Sequence, residues 1–179
     1  MGEIVTLVGV DPGIVDTGAV WVCIDKHRKT VQINSRVWRS VTTKRGLSID
    51  VKERFLVDIK NYCKGVPPQH VFIEGFRNRG RNPQQDQKMT VLVQAIRHTL
   101  SGSTVVDNTG VKNVVSDELL KLLDMWDWAD KTHHADTRSA ARIMLKGAFQ
   151  DDKLNGWFSD LIRGLLEGDG WTVTKSLAR

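Results

Sequence analysis

Residues 3–10 (EIVTLVGV) and 18–25 (GAVWVCID) are apolar, β-branched runs joined by DPGIVDT, whose Pro12-Gly13 marks a turn. They read as a hairpin. TVQINSRVW, residues 30–38, alternates apolar and polar positions after a short KHRK link, so three antiparallel strands are expected in succession. Leu47, Val51, Phe55, Ile59 and Tyr62 or Cys63 then recur at helical spacing until Gly65 and Pro67-Pro68 end the element.

HVFIEGF, residues 70–76, suits a buried strand, and the polar stretch RNRGRNPQQDQ after it reads as a loop. Met89, Leu92, Val93, Ile96 and Leu100 mark a second helix, closed by Ser101-Gly102, and STVVDN reads as another strand. Ser116 with Asp117 and Glu118 is a capped start for a helix through LLKLLDMW, and a further helix begins near Thr132. LNGWFSDLIRGLLEG forms one more amphipathic helix before a short WTVTKSLAR tail. The order βββαβαβ followed by helices predicts an α/β fold, a mixed sheet flanked by helices. No repeat, low-complexity tract or interdomain linker interrupts it. Residues 1–149 are expected to form one domain, with 150–179 a C-terminal helical extension packed on it.

A chain of 179 residues, 40% hydrophobic, can bury one sizeable core. No run reaches the ~18 apolar residues of a membrane span, and MGEIVTL lacks a basic region leading into a secretory segment, so an intracellular protein is expected. Cys23 and Cys63 have no metal spacing and read as reduced, buried thiols. Lys and Arg outnumber acids 26 to 21, giving +5 and a pI near 9.4, a balance that suits a polyanionic partner. Basic residues cluster in KHRK (26–29), TKR (43–45) and RNRGR (77–81); a solvated face fits the first two as well as phosphate contact does.

Three acids stand where apolar residues belong. Asp11 ends the first strand in VGVDPG, either as a compensated carboxylate or as the first residue of an Asp-Pro-Gly turn. Glu74 interrupts VFIEGF, either as part of a site or as an edge-strand glutamate facing solvent. Asp136 shares a helical face with Ala140, Ile143, Met144 and Gly147, and His133 shares it too if the helix starts at Thr132; alternatively Asp136 caps a helix starting at Thr137. HHxD lacks the i, i+4 histidine pair of a helical zinc motif, so His134 is left out of any metal shell. Acids from these three elements can converge on Mg²⁺ or Mn²⁺, and two such ions ~3.5–4 Å apart support in-line attack of water on a phosphodiester.

VGVDPG with Thr17-Gly18, then VFIEGF, then HHAD at a helix entrance resembles the RuvC-type Holliday junction resolvases of the ribonuclease H-like superfamily, over about residues 4–149. The resemblance implies a five-stranded mixed sheet with helices and a nuclease using two Mg²⁺ or Mn²⁺ ions per site. It assigns Asp11, Glu74 and Asp136 to metal binding and His133 to the fourth catalytic and metal-binding position; as histidine is a poor ligand for Mg²⁺ and a tolerable one for Mn²⁺, His133 is also expected to position or deprotonate the attacking water. It implies branched DNA, four-way junctions above all, as substrate, and a homodimer inside a bacterial cell or phage-infected host. Phe76 and Arg77, Arg79 and Arg81 would then meet DNA near the crossover and Lys112 the scissile phosphate, although a core Phe76, a solvated arginine loop and a surface lysine suit the same residues. Met89, Val93, Ile96 and Leu100 lie where the family places its dimer contact, and the same stripe can pack on the sheet. The rival readings are an actin-like phosphate-binding hairpin, for which one chain of this size is too short, a non-catalytic branched-DNA module, and a nuclease for RNA or RNA–DNA hybrids.

Overall fold

The computed structural model describes residues 4–39, 42–43, 46–47, 49–63, 69–76, 82–128 and 134–177. The chain runs β1 (Ile4–Asp11), β2 (Asp16–Asp25), β3 (Thr30–Arg39), a small hairpin β4 (Thr42–Thr43) and β5 (Gly46–Leu47), α1 (Ile49–Tyr62), β6 (Gln69–Gly75) and α2 (Pro83–Thr99). It continues through β7 (Thr104–Asp107), the short α3 (Val111–Val114) and α4 (Asp117–Leu122), α5 (His134–Gln150), α6 (Asp152–Glu167) and β8 (Thr172–Leu177). The main sheet has the order β7-β6-β1-β2-β3-β8. β1, β2 and β3 form the expected antiparallel meander, and β6, β7 and β8 add in parallel to β1, β6 and β3.

The sheet therefore has six strands where five were expected. The extra one is WTVTKSLAR, read from sequence as a tail. Its Thr172-Val173-Thr174 run pairs in parallel with Thr30 to Gln32, and Val173 packs against the core. A β-branched run that covers an open sheet edge satisfies backbone groups otherwise left to solvent.

Strand alternation divides the interior into two cores. Val5 and Leu7 of β1 and Phe72 of β6 face α5 and α6, while Val8, Val10, Val71 and Ile73 face α1 and α2. β1 sits at the centre, buried from Val5 to Val10, which explains a run that is apolar except for Thr6. Val93 and Ile96 of α2 and Leu100 at its C-cap are buried, the last two in the second core, so that stripe serves the chain's own sheet.

Two helix boundaries differ from expectation. α2 begins at Pro83, with Asn82 capping it by accepting from the Gln85 N–H at 3.2 Å, so PQQDQ is helical rather than loop. α4 stops at Leu122 instead of continuing to Trp126. Leu123 and Met125 are both buried, and residues two apart cannot share a helix face, so Asp124 turns the chain at a φ of 55°.

The KHRK cluster meets other parts of the chain. Lys26 pairs with Asp160 at 3.0 Å and lies 4.4 Å from the Trp157 ring centroid, while Lys29 pairs with Asp169 at 2.8 Å. These part-exposed pairs, each worth roughly 0–1 kcal/mol, fasten α6 and the turn after it to the end of the sheet opposite Asp11. Among the described residues no helix is long and apolar enough to cross a membrane.

α5 packs directly on the β1 backbone at a glycine. A Cβ at Gly9 would collide with the Ala140 carbonyl and with Met144. Gly9→Ala is expected to cost about 1–3 kcal/mol in urea unfolding through overpacking. Gly156 of α6 has open space around it, and Gly156→Ala is expected to add roughly 1 kcal/mol in the same measurement.

Candidate functional site

The parity that separates the two cores also aims the acids. Asp11 continues the Val5, Leu7, Gly9 series and Glu74 the Phe72 series, so both project toward α5 at the C-terminal ends of adjacent parallel strands. The last pair in the β1–β6 register is Val10 with Ile73, which sets Asp11 and Glu74 side by side one step further on. β1 runs through Asp11, and the turn beyond is closed by Thr17, whose hydroxyl donates to the Gly13 carbonyl at 3.1 Å. Asp11 is thus a strand residue rather than a turn starter. β6 lies between β1 and β7, so Glu74 is on no edge.

Asp136 arrives from above, on the first turn of α5. The helix already starts at His134, so Asp136 is inside it rather than its cap. A Cβ at Gly18, which pairs with Asp11, would stand 2.6 Å from the Asp136 carbonyl oxygen; the missing side chain lets this turn settle on the hairpin.

The three acids confront one another. Burial pushes the Asp11 carboxyl up to about 9, with the hydrogen bond to Glu74 and the charges of Glu74 and Asp136 acting in the same direction, while a hydrogen bond from Ser139 opposes them. Among the described residues no three His, Cys, Asp or Glu side chains form a ready metal cage. Asp11 and Glu74 are instead drawn together through a hydrogen bond, which needs a shared proton. A cation is the other way to relieve the same repulsion. The donor chemistry, carboxylate oxygens on rigid elements, fits Mg²⁺ or Mn²⁺.

His134 is committed elsewhere. Its Nε2 lies 2.6 Å from the Trp128 carbonyl and its Nδ1 3.2 Å from Arg138 Nη2. Because the guanidinium can only donate, Nδ1 accepts and Nε2 carries the proton. Arg138 also donates to the Trp126 carbonyl at 2.7 Å and stacks on that indole at 3.7 Å, so residues 126–128 are strapped to the first turns of α5. Phe76 is half-buried just beyond β6, and Lys112 is exposed on α3. His133, Arg77, Arg79 and Arg81 lie outside the described residues, as do Lys44 and Arg45 of the second basic cluster.

Two side chains that touch the acids escaped the sequence reading. Ser139 bonds Asp11, and its place three residues after Asp136 on one helix face was a usable signal. Asn108 donates to Glu74 Oε1 at 2.5 Å, and nothing local marks it. Cys63 is buried, which pushes its thiol up to about 12, and neither cysteine is in a disulfide.

No protein-family model matches the chain, and no curated protein matches it by sequence. Among solved structures it is similar to Thermus thermophilus RuvC in complex with a Holliday junction substrate, at 16% identity and a TM-score of 0.61 over 80% of this chain and 92% of that one. Thermus thermophilus RuvC in another structure is also similar, at 17% identity and a TM-score of 0.55, covering 81% and 94%. The fold is therefore RuvC-like, with a six-stranded main sheet.

The state of Asp11 has a measurable consequence. In the unfolded chain its carboxyl ionises near 3.8, whereas the folded chain holds the proton until about 9. Below the lower value both states are protonated and folding carries no penalty; as pH rises, the unfolded chain releases a proton that the folded chain keeps, and stability falls. Asparagine at this position has no proton to lose. In metal-free buffer Asp11→Asn is expected to melt above the wild type, with the gap widening from pH 5 to 9. A gap that narrows with pH would mean that Asp11 is stabilised as a carboxylate.

Proposed function

We propose that this protein is a metal-dependent, structure-specific DNA endonuclease that resolves four-way junctions by paired nicks. One observation carries the reading: Asp11, Glu74 and Asp136, from three elements distant in sequence, meet at one end of the sheet with the ionisation of Asp11 opposed. Such a trio is costly unless it serves a cation. The RuvC neighbour of the same fold was solved with a Holliday junction substrate, and a charge of +5 suits a polyanion.

Asp11, Glu74 and Asp136, with His133, would hold two Mg²⁺ or Mn²⁺ ions, which when bound activate water and neutralise charge on the leaving oxygen. Around them the chain's own groups set the geometry. Ser139 donates to Asp11 and Asn108 to Glu74, which limits how each carboxylate can rotate. His133 also positions or deprotonates the attacking water, and His134 beside it, locked to Trp128 and Arg138, fixes where the chain enters α5. Phe76, Arg77, Arg79 and Arg81 come soon after Glu74 in the chain, which suits them to stack on an unpaired base and grip phosphates near the cut. Lys112, just beyond the β7 loop that touches Glu74, serves the scissile phosphate.

Symmetric cuts call for two sites, so the working form is a homodimer. The inner stripe of α2 is used within the chain, which leaves its outer face, with the exposed Val91, for a dimer contact. The cytoplasm of a bacterial cell or of a phage-infected host is the setting proposed for it.

A labelled four-way junction in Mg²⁺ or Mn²⁺, beside linear duplex and RNA–DNA hybrid, tests the proposal. Paired nicks near the crossover are expected, with Asp11→Asn losing on the order of 1,000-fold in rate while still binding the junction. Binding without cleavage in either metal would make the protein an architectural junction binder, and preferential hybrid cleavage would place it on the RNA-directed side of the same chemistry.

A further inference from the structure

Glu74 is held by a neighbour that the proposed chemistry does not itself demand. Asn108, the first residue after β7, donates from Nδ2 to Glu74 Oε1 at 2.5 Å. A side chain on a loop anchors poorly unless the loop is fixed, and this one is fixed on both sides of Asn108. Lys146 Nζ donates to the Asp107 carbonyl at 2.6 Å and to the Thr109 carbonyl at 2.8 Å, so one ammonium clasps the two flanking peptides. Asp107 Oδ1 accepts from the Thr109 N–H at 3.1 Å and its hydroxyl at 3.0 Å, and the Val111 N–H closes on the Asn108 carbonyl at 3.1 Å.

Lys146 is 7% exposed on the buried face of α5, an expensive place for a charge. An apolar side chain would fill that position at lower cost, and the clasp is what the ammonium adds. Asp136 lies on the first turn of the same helix, about 15 Å up its axis.

Resting on the metal-site reading of Asp11, Glu74 and Asp136, we infer that Lys146 and Asn108 are positioning residues that tie Glu74 to α5. The helix places Asp136 directly through its first turn. It places Glu74 at second hand, through Lys146, the loop 107–109 and Asn108. One rigid element thereby sets the spacing of two acids that belong to different layers of the fold. Asn108 is a neutral donor, so it orients Glu74 without competing for a cation as a lysine would.

Mn²⁺ binding, read as free ion by electron paramagnetic resonance without DNA, tests this. Asn108→Ala and Lys146→Met are expected to weaken binding by about 10- to 100-fold, as loss of an outer partner does. Asn108 is exposed, so Asn108→Ala should unfold thermally like the wild type. In a Glu74→Gln background the same Asn108→Ala change is expected to cost nothing further, because its effect acts through the Glu74 carboxylate. Unchanged binding in Asn108→Ala, or an equal loss in both backgrounds, would overturn the inference. A wild type that binds Mn²⁺ no better than Asp11→Asn would instead overturn the metal-site reading beneath it.

Discussion

Burial of the Asp11 carboxyl beside Glu74 and Asp136 is the constraint on which this end of the sheet depends: loss of water opposes its charge first, and the two neighbouring acids oppose it further. Strand parity sends Asp11 and Glu74 to the same face, parallel register sets them side by side, and the glycine at position 18 lets α5 bring Asp136 down onto them. A chain selected only for stability would place apolar residues at these points. The surrounding structure therefore has to hold the acids together against their own charge, and the two cores on either side of the sheet supply the rigidity for that.

α5 is the element through which most of this rigidity passes. It lies across β1, β2 and β6 with most of its length buried, yet it carries Arg138, Arg142 and Lys146. Each of these cations donates to main-chain carbonyls of the segment between β7 and Trp128: Arg138 to Trp126, Arg142 to Val115 and Lys146 to Asp107 and Thr109. Arg142 adds an ion pair with Asp117. Bonds of this kind satisfy carbonyls that irregular chain leaves open, and they lock the loop path to the helix that presents Asp136. The C-terminal strand joins the same network, because Lys175 donates to the Asp127 carbonyl at 2.6 Å and to Asp124 at 2.8 Å.

Sequence pattern made the centre of this arrangement legible and its supports much less so. β1 and β6 are mostly apolar strands that each carry one acid at or near the C-terminal end, and that acid is visible without a structure because a buried strand tolerates few alternatives. Asp136 was legible from helical spacing. β8 was missed because six residues of tail show their purpose only once the edge of β3 is known to be open. The start of α2 was hidden by polar composition, although Asn82 followed by Pro83 carried the capping signal. Asn108 and Lys146 act across loop and helix, and their partners lie 34 and 37 to 39 residues away, beyond the reach of any local rule. Arg142 and Lys146, two cations amid the apolar residues of α5, were the hints on that helix.

Gathering Asp11, Glu74 and Asp136 makes sense as a way to hold divalent cations. The most direct test is anomalous diffraction from crystals of the protein grown with Mn²⁺. Anomalous density is expected at the carboxylates of Asp11, Glu74 and Asp136, with the hydrogen bond between Asp11 and Glu74 lost. Well-ordered carboxylates that keep that hydrogen bond, with Mn²⁺ absent from them or bound elsewhere, would contradict it.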